Sequence, residues 1–500
     1  MLRRFFFAAA LALAGVSGAH ADEARTAKYF DSIADAPPLR TAFLRAMPKG
    51  GELHVHLAGA IYAENYIAWA IEDGQCVHRA SLSLAAAPCD PAQGTESAAI
   101  LATDRALRSA MIDSLSMRNH SDARDSGHDH FFGTFAKFNV ATRARLGDMV
   151  AEYASRLAAE RTFYVEIMTS PGQGDARELG AQLGWTTDWN DLRARLMTPE
   201  MDKRVTRARE RLDEAEARKR DLLHCGTPQA NPGCDVTVRY IAQVIRVFPR
   251  EQVFAQILFA TMLMKADSRV VGLNLVAPED DPVTLRDYTD QMRMIGFLTD
   301  TGRSANVALH AGEVVMGLVP PEDLRFHMRQ AVELAGAKRI GHGTGVAWED
   351  DSTGLMNAMA QRKIAIEINP TSSEQILGLS GKDHPFPVYR RMGVPIVLGT
   401  DDPGVSRIDL SHEYQRIARD YGLGYRDLKG FARNALEYSF LPGQSLWIGS
   451  ARVGPCAGDA PGGQPSASCR AFLDGNEKAR EQWRLEAAFA RFEATPWPAP

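Results

Sequence analysis

Apolar residues in this chain gather in short, widely spaced runs of the kind that form buried strands. Eight stand out: 52–57 (ELHVHL), 162–168 (TFYVEIM), 253–259 (VFAQILF), 270–276 (VVGLNLV), 306–312 (NVALHAG), 339–343 (RIGHG), 364–370 (IAIEINP) and 395–402 (PIVLGTDD). Helical patterns separate the later ones, at 321–335 and 355–362. Strands alternating with helices predict a parallel sheet. Eight such units predict an α/β fold, a (β/α)₈ TIM-type barrel. That fold carries its functional residues at the C-terminal ends of its strands. His54, His56, His310, His342, Asp401 and Asp402 all fall late in, or just after, a predicted strand.

Three stretches interrupt this rhythm. Residues 61–160 separate the first two runs and read as mostly helical. Residues 172–250 hold a charged helix at 199–223, where Glu214/Arg218 and Glu216/Arg220 at i,i+4 spacing predict a solvated face. Residues 441–500 form a Gly/Pro-rich loop and a helix near 476–493. The barrel thus occupies 22–440, with helical insertions at about 61–160 and 172–250 and a C-terminal extension at 441–500. Residues 1–21 read as a signal peptide: Arg3 and Arg4 precede an apolar run, and Ala19-His20-Ala21 is a small-x-small cleavage site. The apolar run is short for a membrane span, so no stable membrane anchor is expected. An exported protein, periplasmic or secreted, follows.

The six cysteines agree with export, because disulfides persist in oxidising compartments. Each successive pair brackets a loop-like stretch, so local pairing is favoured: Cys76–Cys89, Cys225–Cys234 and Cys456–Cys469. No C-x-x-C occurs, which disfavours a structural zinc site or thioredoxin-like chemistry. The composition, 45% hydrophobic and 24% charged, is that of a globular enzyme. A net charge of −5 gives no basic excess to hold a nucleic-acid backbone. Oligomeric state is not legible.

The chemistry lies in the histidines. A lone histidine in an apolar strand is ordinarily a hydrogen-bonded core residue. His54 and His56 are two apart on one strand, so their rings share a face. His310 adds an imidazole from another strand end, and Asp401 adds a carboxylate. Three nitrogens and one oxygen suit one zinc ion per chain and leave room for water. Glu313, three residues after His310, can shuttle a proton; a first-turn helix carboxylate is the alternative. His342 can take a proton from water, or be a core histidine. Asp402 points away from Asp401 and can face substrate, or serve as a helix cap.

Taken in order, "MPKGGELHVHLAGA", "HAGE", "RIGHGT", "EINPTSS" and "LGTDDPG" resemble the motifs of the adenosine deaminase family of metal-dependent hydrolases. "FFGTFAKF" at 131–138 and "TFYVEIMTSP" at 162–171 resemble further family segments. The resemblance runs from about residue 47 to about residue 440. It implies a zinc site of His54, His56, His310 and Asp401 at the barrel mouth. It further implies that Glu313 protonates N1 of a purine, that His342 assists the hydroxide attacking C6, and that Asp402 hydrogen-bonds N7. Phe131, Phe132 and Phe135 would close an apolar lid, unless their spacing reflects helical core packing.

Two departures bear on specificity. The family usually reads HLDGA, and its Asp contacts the ribose 5′-hydroxyl; here the residue is Ala58. After the fourth strand the family usually has a Gly whose N–H meets purine N3; here Ala277 takes that place. The implied substrate is adenosine or a close 6-aminopurine nucleoside with an altered 5′ position, deaminated to the 6-oxo purine and ammonia. Two alternatives stand beside it: another metal hydrolase of this type, and a secreted nucleoside-binding protein with a vestigial site. A cytidine-deaminase type is disfavoured, since H-x-E and P-C-x-x-C are both missing.

Overall fold

Eight parallel strands form the centre of the computed structural model, which describes residues 22–498. The signal peptide read at 1–21 lies outside the described residues. The strands are β1 (Gly50–His56), β2 (Thr162–Thr169), β3 (Thr237–Ile245), β4 (Val270–Val276), β5 (Ala308–Ala311), β6 (Arg339–His342), β7 (Ala365–Ile368) and β8 (Ile396–Leu398). They pair as two curled four-stranded sheets, β1-β2-β3-β4 and β5-β6-β7-β8. Parallel bridges Val55–Asp401 and Leu273–Val307 join the sheets at both seams. The predicted TIM-type barrel is therefore present. Its strands are apolar on both faces because helices cover the outside and side chains fill the inside; every residue of β4 is buried.

Seven of the eight predicted strands are found. The third is displaced. Residues 253–259 lie inside the helix Arg250–Ala266, and the strand is Thr237–Ile245, within the stretch read as an insertion. A short apolar run does not distinguish a strand from a helix buried all round. This helix is of the second kind, with every residue from Val253 to Thr261 buried.

The long helix Pro199–Leu222 is not the solvated rod that its charges predicted. Met201, Val205, Ala208, Leu212 and Ala215 form a buried stripe, and the helix packs on Leu146–Ala159. Arg218 reaches Asp148 at 3.1 Å rather than Glu214. Glu216 accepts a hydrogen bond from the Tyr240 hydroxyl at 2.8 Å. Residues 61–160 also hold a three-stranded antiparallel sheet, Cys76–His78 with Ser83–Ala85 and Thr95–Ser97, beside their helices. The C-terminal helix Glu477–Glu493 packs against β1, β2 and the helix Tyr425–Glu437, so the extension is part of the barrel wall. All three disulfides are the local pairs expected. Among the described residues, no helix is long and apolar enough to cross a membrane.

One buried ion network crosses the barrel interior. Arg339 on β6 is 1% exposed. Its Nη2 donates to Glu166 of β2 at 2.6 Å and its Nε to Glu367 of β7 at 2.5 Å. Its Nη1 donates to the Tyr438 carbonyl at 3.0 Å, and the guanidinium lies 3.8 Å from the Phe440 ring centroid. Removing one member leaves buried charge without a partner, which costs about 3–5 kcal/mol. Arg339→Met is expected to lose about that much stability in urea denaturation, and a loss under about 1 kcal/mol would show that the carboxylates find other partners.

Candidate active site

β1 ends in His54-Val55-His56. Strand alternation sends both imidazoles inward, with ring centroids 5.9 Å apart. β5 brings His310 to the same point: its Nε2 lies 3.1 Å from His56 Nε2. Asp401 follows β8 and completes the cluster. Its Oδ1 lies 3.3 Å from both His54 Nε2 and His56 Nε2. His342, the last residue of β6, stands beside them, its ring 4.8 Å from that of His54. The structure thus gathers these five of the residues that the sequence marked around one centre, at the C-terminal ends of four strands.

The other ring nitrogen of each of three histidines is held from behind. His54 Nδ1 donates to Glu367 Oε2 at 2.6 Å. His310 Nδ1 donates to Asn274 Oδ1 at 2.9 Å, which also accepts the His310 backbone N–H. The side-chain amide of Gln243 meets His56 Nδ1 at 2.8 Å, and an amide can present either its oxygen or its nitrogen there. Asp401 Oδ2 accepts from the Ser372 hydroxyl at 2.8 Å. These partners aim the Nε2 atoms at a common point, the usual support of a metal-binding imidazole. Sequence reasoning did not find Glu367, Asn274, Gln243 or Ser372. The one available signal was a single polar residue inside each of two otherwise apolar strands, Asn274 and Glu367; Gln243 lies on a strand that also carries Thr237 and Arg239.

The donor set fits a borderline divalent ion: imidazole nitrogens and one carboxylate, buried. Buried polar atoms point the same way, because His54 Nε2, His342 Nε2, Glu313 Oε1 and Asp402 Oδ1 have no hydrogen-bond partner. Charge agrees. Burial pushes the His54 imidazole down, but Asp401 and Glu367 beside it outweigh that and carry it up to about 10. Burial alone raises Asp401, yet the neighbouring His54 and His56 imidazoles hold it well below the usual carboxylate range. Burial and the nearby His54 charge push the His56 and His310 imidazoles down, which leaves their nitrogens available as ligands.

Glu313 and Asp402 behave in the opposite way. Burial, reinforced by the charges of Asp401 and Glu279, pushes the Glu313 carboxyl well above its usual range. Burial, with Asp401 and Glu313 as like-charged neighbours, does the same to Asp402. His342 is driven down to about 3 by burial. Its Nδ1 lies 3.3 Å from Glu313 Oε1. An imidazole pushed down, two carboxyls pushed up and the His/Asp cluster thus share one site.

Backbone geometry sets these positions at a cost. His342, Asp401 and Ala277 all take positive φ, at 64°, 61° and 87°. Such conformations are strained for non-glycine residues and persist where surrounding contacts fix them. Glu279 provides part of that fixing: its carboxylate accepts the backbone N–H of Gly312 at 2.9 Å and of Glu313 at 2.8 Å. His327 Nδ1 donates to the same carboxylate at 2.6 Å. Gly59 makes room for Asp402, since a Cβ there would fall 1.5 Å from Asp402 Oδ1.

The helix Gly127–Thr142 lies over the mouth. It packs against the turns after β1 and β7, and its His128 meets Asp280, after β4, at 3.0 Å. Phe131 is 1% exposed, its ring packed on Phe132 and Phe135. Core packing accounts for Phe131, while Phe132 and Phe135 are only partly buried. Ala58 sits in the turn after β1 and offers its carbonyl to the Tyr66 hydroxyl at 2.6 Å.

Replacing the carboxylate behind His54 tests this support directly. Glu367→Gln is expected to weaken divalent-metal binding about 10–100-fold in equilibrium dialysis. An unchanged affinity would mean that His54 is not held for a metal.

Comparison with known proteins agrees with this geometry. The adenosine deaminase family model matches residues 103–446. An adenosine deaminase of Shewanella loihica is 37% identical over 142 residues, 28% of this chain and 40% of its own. One of Shewanella denitrificans is 38% identical over 174 residues, 33% of this chain and 49% of its own. These alignments span under half the length of those relatives. Among solved structures, an amidohydrolase from Burkholderia ambifaria with bound Zn superposes with a TM-score of 0.51 at 18% identity, covering 90% of this chain and 94% of that one. The match over most of the chain, on a barrel whose strand ends carry the motif residues, places this protein in the adenosine deaminase family.

Proposed function

We propose that this protein is a zinc-dependent aminohydrolase that converts adenosine, or a closely related 6-aminopurine nucleoside, to the 6-oxo purine and ammonia. The observation that carries the reading is geometric: His342 Nδ1 lies 3.3 Å from Glu313 Oε1, both against the His/Asp cluster, where burial pushes the imidazole down and the carboxyl up. The family match and the resemblance to adenosine deaminases support it.

His54, His56, His310 and Asp401 would hold the metal. Three of these are imidazoles braced from behind, whereas the nearest groups to His342 Nδ1 are Glu313 at 3.3 Å and Asn369 at 3.5 Å. His342 is thus the imidazole left for proton transfer. When bound, a zinc-class ion acts as a Lewis acid that makes water nucleophilic near neutral pH. Glu313 donates a proton to ring N1 as C6 becomes tetrahedral, so negative charge does not build on the ring. Asp402, its carboxyl pushed up by burial and its neighbours, donates a hydrogen bond to N7 in its protonated form, an acceptor that a bare carboxylate would repel. His342 accepts a proton from the attacking water. That proton leaves with the amine as ammonia, the C6 hydroxyl proton returns to Glu313 as the 6-oxo group forms, and the N1 proton stays on the ring. Phe135 and the Ala277 backbone N–H are proposed to bound the ring, with Phe131 supporting the lid from its core.

Ala58 provides no carboxylate for a ribose 5′-hydroxyl, so the 5′ position is proposed to tolerate change. The assay is the absorbance change on incubation with adenosine, with and without a chelator. Conversion to inosine should disappear on chelation and return with zinc. Glu313→Gln should retain zinc and lose about 10²–10⁴ in kcat. Turnover of 5′-deoxyadenosine should match that of adenosine. A zinc-loaded protein that converts neither substrate would overturn the reaction, and strict dependence on the 5′-hydroxyl would overturn the reading of Ala58.

We also propose export to the periplasm or medium. The three disulfides support an oxidising destination. The mass of the protein from its native host should correspond to a chain beginning at Asp22, and retention of residues 1–21 would refute cleavage there.

A further inference from the structure

Outside the barrel centre, a second group of metal-ligating side chains lies at the entrance to the helix over the mouth. Ligand atoms of His120, Asp125 and His130 all fall within 4.8 Å of one another. His130 sits in the first turn of Gly127–Thr142, and the other two lie on the segment that leads into it.

One nitrogen of His130 is held by its surroundings. Its Nε2 donates to the carbonyl oxygens of Ser116 at 3.1 Å and Asp113 at 3.3 Å. Nδ1 is the nitrogen left to ligate, and it faces Asp125 Oδ2 at 2.9 Å. An imidazole nitrogen opposite a carboxylate oxygen calls for a cation between them, either a proton or a metal ion. His120 joins the same residue. Its Nε2 comes 3.5 Å from Asp125 Oδ1 and 3.2 Å from the Asp125 carbonyl oxygen, so one residue meets both imidazoles. A metal ion in this space draws all three ligand atoms together and displaces the protons that otherwise join each imidazole to Asp125. Zinc bonds of about 2.0–2.1 Å at a tetrahedral angle set neighbouring donor atoms about 3.3 Å apart, and the observed 2.9 and 3.5 Å bracket that value.

Burial is also graded as such a site requires. The His120 and His130 side chains are 11% and 9% exposed, while Asp125 is 41% exposed. The imidazoles are fixed and the carboxylate side is open, which gives the ion an entry path and a place for water. His130 has its distal nitrogen held by backbone carbonyls, the support usual for a metal-binding imidazole.

We propose that His120, Asp125 and His130 form a second divalent-metal site, of zinc type, that ties the segment 120–125 to the first turn of the helix over the barrel mouth. The site shares no residue with the catalytic cluster and does not depend on the reaction assigned to it. Two imidazoles and one carboxylate favour zinc over calcium or magnesium, which take oxygen ligands.

The test is zinc content per chain, measured by elemental mass spectrometry after dialysis of the full-length mature protein against a zinc buffer. The wild type is compared with a His120→Ala/His130→Ala variant and with Asp125→Asn. The double variant should hold one zinc fewer than the wild type. Asp125→Asn, which keeps the side-chain shape, should weaken that same equivalent at least about tenfold. Because the readout is a difference, it stands whether or not the barrel centre is loaded. Circular dichroism shows that each variant is folded. Equal zinc content in the wild type and both folded variants would overturn the proposal, as would the loss of a zinc that magnesium replaces equally well.

Discussion

The Arg339 guanidinium is the charge around which this barrel is organised. It is buried between Glu166 and Glu367, on strands from opposite sheets. Without it, two buried carboxylates would lose their cationic partner in the interior. Burial would raise Glu367, but Arg339 and the bond from His54 hold it down to about 2. An ionised Glu367 then fixes the His54 tautomer, and His54 points Nε2 at Asp401. One buried cation thus determines, through two hydrogen bonds, the proton state at the first strand of the site.

The remaining strands contribute in the same manner, from behind the cluster. β3 brings Gln243 to His56 and β4 brings Asn274 to His310. Glu279, just beyond β4, grips the turn that carries Glu313. The seam between β1 and β8 is held by Glu52, whose carboxylate accepts from the Thr400 backbone N–H at 2.9 Å and from the Tyr153 hydroxyl at 2.5 Å. Asp401 follows directly on Thr400, so the seam contact also places a proposed metal ligand. The positive φ at His342 and Asp401 is kept by this density of contacts. The site is pre-formed because strands carry its four histidines, and buried contacts fix the turns that carry Glu313 and Asp401.

The motifs were legible because they are local. H-x-H on one strand needs only the alternation of a pleat. HAGE, RIGHG and GTDDP each end a short apolar run, and a parallel barrel brings all strand ends to one face. The misplaced third strand shows where local signals fail. TVRYIAQVI and VFAQILF have comparable apolar character, and only the pairing partners β2 and β4 decide which becomes a strand. The helix Pro199–Leu222 shows the converse: its charges masked a buried stripe at Met201, Val205, Ala208, Leu212 and Ala215. Gln243 shared its strand with Thr237 and Arg239, while Asn274 and Glu367 stood as single polar residues in apolar strands. Nothing nearby in sequence said which histidine each would meet, the contacts being 187, 36 and 313 residues apart.

By itself the sequence determined the barrel class, the local disulfide pairs and the candidate side chains that meet at the strand ends, because each depends on local spacing. Tertiary structure alone decided how their proton affinities shift. Burial, with charges that arrive from other strands, pushes the Glu313 and Asp402 carboxyls up and the His342 imidazole down. Tertiary structure also set His130 against Asp125 and His120, through carbonyls that fix one ring nitrogen. A residue type fixes what a side chain can do; the electrostatic field and the hydrogen-bond partners that select among those states come from distant parts of the chain, and only folding brings them together.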